Sequence, residues 1–388
     1  IFEADEQPGG MLRYAIPSYR LPNEVVDRDI KNVTALGVEI RVGRRVDELA
    51  QLEAEGFEAV FVACGAATDR TMGIEGENLD GVVRSLDFLR RANEGESPDL
   101  TGRRVLVVGG GNVAIDSARV ARRLGAARVT IQYRRSWAEM PAFSWEIEDA
   151  LAEGVHIEYL RVPTRFTGSE GRLSKVESIG MRLGEADDSG RRRPIPVEGS
   201  EETTDVDLAI VAIGLSASTS VWKDGMGLSG NGQVRVDAGT LQTSHPRVFA
   251  GGDLVTGPSS IVDALGQGRR AAHFIDRFLT GDDLNAEEYD RRLPVVNQSD
   301  VLARQSAYRH HNGERVAERP AAERITAFDE VELPLEEEEA RAAAARCLDC
   351  GGCSECHQCL DVCSGQAIDF SRRDEVLSVD AGSVVVST

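Results

Sequence analysis

The sequence predicts an α/β protein built on parallel sheets, and three observations carry that expectation. Three near-continuous apolar runs, Ala59-Val60-Phe61-Val62-Ala63-Cys64-Gly65, Val105-Leu106-Val107-Val108-Gly109 and Leu208-Ala209-Ile210-Val211-Ala212-Ile213-Gly214, each close on glycine. Strands buried on both faces read this way, because neither side of the pleat meets water. Helical patterns alternate with them, at residues 113–124 and 144–153, and strand–helix alternation is the pattern of parallel sheets covered by helices. The third observation is a glycine-rich turn joining one such strand to one such helix. With 388 residues, 41% hydrophobic and 28% charged, the chain can bury the cores of two or three domains.

The elements are taken in chain order. Ile1-Phe2-Glu3-Ala4 has the pattern of a strand's last residues, and Gly382-Ser383-Val384-Val385-Val386-Ser387-Thr388 is a β-branched run. We therefore expect a piece of a longer polypeptide. An acidic strand end such as Glu3 follows its glycine fingerprint by some ~20 residues in a nucleotide-binding fold. A fingerprint stands further on, in Val105-Leu106-Val107-Val108-Gly109-Gly110-Gly111-Asn112-Val113-Ala114-Ile115-Asp116. In this G-x-G-x-x-A pattern Gly109 permits the tight turn, Gly111 leaves room for a pyrophosphate, and Ala114 lets helix and strand pack closely. Asn112 and Val113 open the helix, whose N–H groups and partial positive charge suit an anion. The next strand, Arg128-Val129-Thr130-Ile131-Gln132-Tyr133-Arg134-Arg135, should end beside an adenosine ribose. Chains that bind NAD place Asp or Glu there, whereas Arg134 and Arg135 suit the 2′-phosphate of NADP. NAD stays as the alternative.

Residues 168–190, rich in Gly, Ser and charge, read as hairpin loops decorating a sheet. Thr243-Ser244-His245-Pro246-Arg247-Val248-Phe249-Ala250-Gly251-Gly252-Asp253 is a strand closing on Gly-Asp, which on spacing alone reads as an ordinary turn, although an Asp there can accept from a ribityl hydroxyl. A helix begins beyond Pro258, and its first N–H groups, around Ser259 and Ile261, can face a flavin's carbonyl edge. From residue 281 to about 334 the pattern loosens into polar, Arg/Glu-rich sequence, a linker or arm. Residues 334–346 then form a helix with Pro at its start, acids in its first turn and Arg at its end, as the macrodipole favours. Its acidic run reads as a solvated face.

Against 65 Asp+Glu stand 44 Lys+Arg, a formal charge of −21. Such a field repels nucleic acid and anionic membrane surfaces. No apolar run approaches the roughly 18 residues of a membrane span, and the first residues do not read as a signal peptide. A cytoplasmic location is expected. The 41 Arg against three Lys are spread along the chain and read as a compositional bias.

Four segments, Pro8-Gly9-Gly10-Met11-Leu12-Arg13-Tyr14-Ala15-Ile16-Pro17-Ser18-Tyr19-Arg20-Leu21-Pro22, Met140-Pro141-Ala142, Glu153-Gly154-Val155 and Arg247-Val248-Phe249-Ala250-Gly251-Gly252-Asp253, resemble in order the small subunit of NADPH-dependent glutamate synthase and its relatives. The resemblance runs from Ile1 to about Leu279, nearly three quarters of the chain. It implies two dinucleotide-binding, Rossmann-like domains of the pyridine nucleotide–disulfide oxidoreductase type, one inserted in the other. The FAD-binding domain would span 1–100 and return over 241–280, with an NAD(P)-binding domain over 101–240. The resemblance gives a flavin role to Glu3, Gly10, Arg13, Gly252 and Asp253, and a nicotinamide role to residues 109–114. Leu12, Gly65, Gly214, Ser259 and Ile261 complete the expected cofactor-binding set. Ala15 departs from the Gly usual in these relatives while keeping a small residue. Cys64 stands where they have Thr and reads as a small buried side chain. No C-x-x-C lies between Gly109 and Gly214, which disfavours disulfide reduction through the thiol pair of thioredoxin-reductase-type enzymes.

Six of the seven cysteines fall within 17 residues, as Cys347-x2-Cys350-x2-Cys353-x2-Cys356-x2-Cys359-x3-Cys363. They are too crowded to frame a core with disulfides and suit a metal site in a reducing compartment. The last four reproduce the ferredoxin run, in which consecutive thiolates wrap one 4Fe-4S cluster and the fourth often serves another. Gln366-Ala367-Ile368 continues the ferredoxin pattern, although Ser364 replaces its usual Pro. Zinc is the alternative, but zinc sites normally separate two pairs by a dozen or more residues. Cys347 and Cys350 either join a second cluster completed by outside ligands or offer an alternative fourth ligand. His357 reads as a surface residue. The ferredoxin-like segment is placed at 346–371, after an arm and acidic helix over 281–345. Residues 372–388 read as the start of a further domain, resembling a strand that re-enters a flavin domain in heterodisulfide-reductase A-type proteins.

These readings point to an FAD- and iron–sulfur-dependent oxidoreductase passing electrons between NAD(P)H and a cluster or protein partner. The alternatives are a subunit of an electron-bifurcating or ferredoxin-linked complex, the electron-input subunit of glutamate synthase, and a non-catalytic redox sensor. No acid–base residue is assigned, because hydride transfer between cofactors needs alignment and exclusion of water.

Overall fold

The structure is a computed structural model that describes residues 1–186, 190–217, 227–229, 232–285 and 316–345. The cysteine array and the C-terminal run lie outside these residues. The chain divides into two units, residues 1–290 with 316–334, and residues 291–315 with 335–388.

In the first unit, Pro22 sets the entry to a long helix, as a fixed φ favours at a helix start. The short helix α1 (Met11–Tyr14) precedes it, and the long one is α2 (Asn23–Ala35). Then come α3 (Leu49–Ala54), β1 (Val60–Val62), β2 (Thr68–Asp69), β3 (Val82–Arg84) and α4 (Ser85–Asn93). Strand and helix alternate through β4 (Arg104–Val108), α5 (Asn112–Arg123), β5 (Arg128–Tyr133), α6 (Ser144–Ala152) and β6 (His156–Tyr159), as the periodicity predicts. Four strands follow, β7 (Arg161–Ser169), β8 (Arg172–Ala186), β9 (Arg192–Pro196) and β10 (Glu202–Asp205), before β11 (Leu208–Val211) and β12 (Leu215–Ser216). The unit closes with β13 (Val248–Ala250), α7 (Asp253–Thr256), α8 (Ile261–Thr280) and α9 (Ala321–Arg324).

The central sheet is parallel throughout, in the order β3-β11-β4-β5-β6. Its edge strand β3 lies upstream of residue 101. Alternation along β4 explains how both faces are covered. Val105 and Val107 pack against the helices α4, α5 and α6, while Leu106 and Val108 pack against the antiparallel β7–β8 layer through Phe166, Leu173 and Val176. Each such side chain, fully buried, contributes about 1.5–3 kcal/mol. Residues 168–190, expected as loops, supply the end of β7 and all of β8, which turn at Glu170 and Gly171 in the left-handed region.

The flanking half is a smaller parallel pair, β1 with β13, packed on Val234 and Leu254. Among the described residues β1 pairs on one edge only, and this corrects two expectations. Phe61 is exposed rather than buried on both faces, and Cys64, expected inside, is exposed. The chain passes between the halves at β2 and at β12, and these two strands pair antiparallel.

Residues 316–334, expected within a linker or arm, fold back as a strap on the helical face of the central sheet. An antiparallel bridge joins Glu318 to Glu332. Val331 is buried and donates its N–H to the Tyr19 carbonyl at 3.0 Å, and the Phe328 ring lies 6.4 Å from that of Tyr19. Arg324 is buried too, paired with Asp149 of α6 at 2.9 Å and with Glu318.

In the second unit the described residues hold one helix, α10 (Glu337–Ala345). Its acidic first turn is solvated, and Arg341 pairs with Glu337 one turn away at 2.7 Å.

Candidate coenzyme site

The turn after β4 is crowded behind and open in front. Gly109 has φ +145°, and a Cβ there would lie 2.1 Å from the Ala212 carbonyl oxygen. A Cβ on Gly110 would lie 2.4 Å from the Tyr133 ring, whereas one on Gly111 would meet nothing within 4 Å. Gly111 is also the N-cap of α5, with no side chain capping the helix. The N-terminus of α5 is therefore uncapped by any side chain and unobstructed at Gly111, the arrangement that receives a pyrophosphate. Asn112 turns its Oδ1 to accept from the Phe143 N–H at 3.2 Å, and the Ala142 N–H donates to the Gly110 carbonyl at 3.2 Å. The Met140-Pro141-Ala142 segment is thus pinned to the rim of the turn.

At the end of β5 the two arginines part ways. Arg134 is exposed, while Arg135 is 5% exposed and donates through Nε to the Arg192 carbonyl at 2.7 Å. Next to them Ser136 and Glu139 cap each other, and Glu139 also pairs with Arg192 at 2.5 Å. Hydrogen bonds from Ser136, reinforced by Arg192, hold the Glu139 carboxyl below the usual range.

On the flanking half Gly252 enters α7 at φ +68°, and its N–H donates to Gln267 of α8 at 2.8 Å. Asp253 accepts from the Ser259 N–H at 3.1 Å, and burial raises its carboxyl pKa. Ser260, ahead of Ile261, caps α8 reciprocally with Asp263. Gly65 follows β1 at φ +69° with nothing close to it, and Gly214 joins β11 to β12 at φ +118°, its carbonyl accepting from the Arg70 N–H at 3.0 Å.

Beneath the turn lies a buried set of charges that links distant parts of the chain. Arg20 Nη1 donates to both carboxylate oxygens of Asp116 on α5, at 2.9 and 2.8 Å, and its Nη2 pairs with Glu146 on α6. Glu153 receives Arg119 and Arg123, whose guanidinium carbons lie 5.0 and 3.8 Å from the Tyr19 ring centroid. Burial pushes Glu146 up to about 7 although Arg20 opposes it, and burial raises Asp116 as well. Burial acts on Glu153 in the same sense, but the hydrogen bonds from Arg123 and Arg119 prevail and hold it low.

Residues 10–268 match the pyridine nucleotide-disulphide oxidoreductase family. The chain belongs to that family. It is 43% identical over 360 residues to the NADP(+)-dependent formate dehydrogenase subunit beta of Moorella thermoacetica, covering 90% of this chain and 50% of that one. It is 37% identical to the NADPH-Fe(3+) oxidoreductase subunit beta of Geobacter sulfurreducens, covering 88% and 56%, and 34% identical to the glutamate synthase [NADPH] small chain of Escherichia coli, covering 72% and 63%. The chain thus spans about half the length of the first two. Its fold is that of FprA from Mycobacterium tuberculosis, at TM-score 0.61 and 20% identity over 78% of this chain and 81% of that one.

Of the residues expected to bind cofactors, Gly109, Gly111, Asn112, Val113 and Ala114 come together in one turn, and Arg134 and Arg135 directly follow the adjacent strand. Gly10, Leu12 and Arg13 lie at α1, where the buried Arg13 guanidinium is held by the Pro8 carbonyl at 2.8 Å and by Asp27. Glu3 hydrogen-bonds the Asp5 N–H, and its backbone bonds with Arg41 and Arg44. Among the described residues no hydrogen bond or ion pair joins Glu3 to Gly252 or Asp253. Cys347, Cys350, Cys353, Cys356, Cys359 and Cys363 lie outside the described residues. The sequence reading missed Arg20, Asp116 and Glu146. The one signal was that Arg20 and Asp116 both fall inside segments singled out for other reasons.

Proposed function

We propose that this chain binds NADPH at the 109–114 turn and passes its electrons, through a flavin held by the flanking half, toward an iron–sulfur centre at the cysteine array and an electron-accepting partner. The observation that carries the reading is the uncapped N-terminus of α5 behind Gly111, with space in front of it and none behind. When bound, the nicotinamide and flavin would supply two-electron hydride exchange, and a 4Fe-4S cluster one-electron relay. The chain's own part is positional. The turn grips the pyrophosphate, the 140–143 segment braces the rim, and Arg134 meets the 2′-phosphate. Gly252 and Asp253 would hold the ribityl chain, with Ser259 and Ile261 at the isoalloxazine edge. Cys353, Cys356, Cys359 and Cys363 would ligate a cluster, with Cys347 and Cys350 available to a second. Relatives named as a subunit or a chain favour a partner protein as the electron acceptor.

Anaerobic addition of NADPH should bleach the flavin absorbance, and iron and sulfide should be present in equal amounts. A colourless, zinc-loaded protein would refute the reading. Arg134→Ala should weaken NADPH at least tenfold more than NADH, as loss of a charged phosphate contact implies. Arg135→Ala should act chiefly on stability, because Arg135 is buried on the Arg192 carbonyl. Equal losses for both coenzymes in Arg134→Ala would remove the NADP assignment.

A further inference from the structure

We propose that Arg20 is a positioning residue for hydride transfer, bracing the flavin-side segment of residues 8–22 against the coenzyme helix α5. The inference rests on the reading of residues 109–114 as a nicotinamide site and of residues 10–13 as flavin-side.

At β2 and β12 the halves are joined by a two-stranded ribbon, in which two residues of one strand pair with two of the other. So short a ribbon offers little opposition to relative rotation of the halves. The opposition comes from residues 5–20, which lie along α4 and α5. Arg90 of α4 pairs with Asp5 at 2.8 Å, and the Asn93 side chain donates to the carbonyls of Arg13 and Ile16 at 3.1 and 2.9 Å. Arg20 then spans two helices at once, with Nη1 on Asp116 and Nη2 on Glu146, and its guanidinium 5.8 Å from the Trp145 ring. The strap fixes the preceding residue from the other side, through Val331 and Phe328 on Tyr19.

Asp116 and Glu146 are buried carboxylates, so a planar cation between them is strongly held, and a lysine point charge cannot reach both in the same geometry. Asp116 lies about one and a half turns beyond Gly111 on the same rigid helix. Any shift of Arg20 relative to Asp116 is therefore a shift of the flavin-side segment relative to the pyrophosphate turn. Hydride transfer depends steeply on such placement, and a misplacement of about 1 Å costs up to about 100-fold in rate.

The test is stopped-flow reduction of the flavin-loaded holoprotein by NADPH, with hydrogen exchange read in parallel. In Arg20→Gln the limiting rate of flavin bleaching should fall at least tenfold, while the NADPH Kd stays within twofold. Arg20→Lys should recover part of the rate. Because Arg20→Gln strands two buried carboxylates, the double variant Arg20→Gln/Asp116→Asn, which restores the net charge of the set and leaves only Glu146 without its cation, serves as a companion and should show the same loss of rate. Amides of residues 11–21 should lose protection in both. An unchanged limiting rate per folded flavin, in either variant, overturns the proposal. If the wild-type flavin is not reduced by NADPH, the electron-input reading itself falls. Hydrogen exchange then judges the brace alone, and unchanged protection of residues 11–21 in Arg20→Gln rejects it.

Discussion

Gly109 and Gly111 are both glycines of one fingerprint, yet the structure asks different things of them. Gly109 holds φ +145° with a carbonyl oxygen 2.1 Å from where a Cβ would stand, so Gly109→Ala should cost about 1–3 kcal/mol or more and lower the melting temperature. Gly111 has φ −92° and open space, so Gly111→Ala should lower melting far less than Gly109→Ala, by no more than a lost N-cap preference, and raise the NADPH Kd, because the methyl intrudes where the pyrophosphate sits. Calorimetry and coenzyme titration on the two variants separate a folding glycine from a binding glycine. Glu146 offers a second residue-level test. Its folded-state value of about 7 lies above the ordinary 4.5. Below about pH 4.5 both states hold the proton, and between 4.5 and 7 only the folded state does. Its contribution to stability thus declines as pH rises through that window and is level above it. Denaturant midpoints should therefore fall more from pH 5 to pH 8 in the wild type than in Glu146→Gln. Parallel curves would show that Glu146 does not titrate there.

At the scale of elements, the strands and helices of the central sheet were legible because each carries its own period. Val105 to Val108 is apolar without interruption, and residues 113–124 repeat at helical spacing. The strap was not legible. Residues 316–334 are polar and Arg-rich, and their order comes from a few contacts made far away in sequence, Val331 and Phe328 on Tyr19 and Arg324 on Asp149. A period cannot announce such contacts. The same holds for Arg20 and Asp116, which are 96 residues apart. The placement of Arg135 was hidden for a related reason, since the carbonyl that holds its guanidinium belongs to Arg192, 57 residues away. Arg324→Ala should destabilise the protein by about 1–3 kcal/mol, because it leaves Glu318 unpaired and weakens the neutralisation of Asp149. Chymotryptic cleavage after Phe328 should accelerate in the variant, and equal rates would show that the strap is held without Arg324.

For the whole molecule, the glycine turn, the central sheet and the charges beneath them form one connected body, so coenzyme bound at the turn should be felt throughout it. NADPH at 100 times its Kd should stabilise the fold by about 2.7 kcal/mol, raising the melting temperature seen by the fluorescence of Trp137 and Trp145. NADH at the same concentration should raise it less if Arg134 selects the 2′-phosphate. Among the described residues no helix is long and apolar enough to cross a membrane.

The strap and Arg20 together limit how this architecture can be recombined. An engineer who wished to exchange coenzyme preference by grafting residues 101–240 from a relative would part only two strand pairs, β3 from β11 and β2 from β12, and the swap would look clean on paper. The graft would nevertheless arrive with its own partners for positions 20 and 324, contributed by a host sequence that had never met them. Chimeras that carry those two positions along with the insert should work where bare grafts fail.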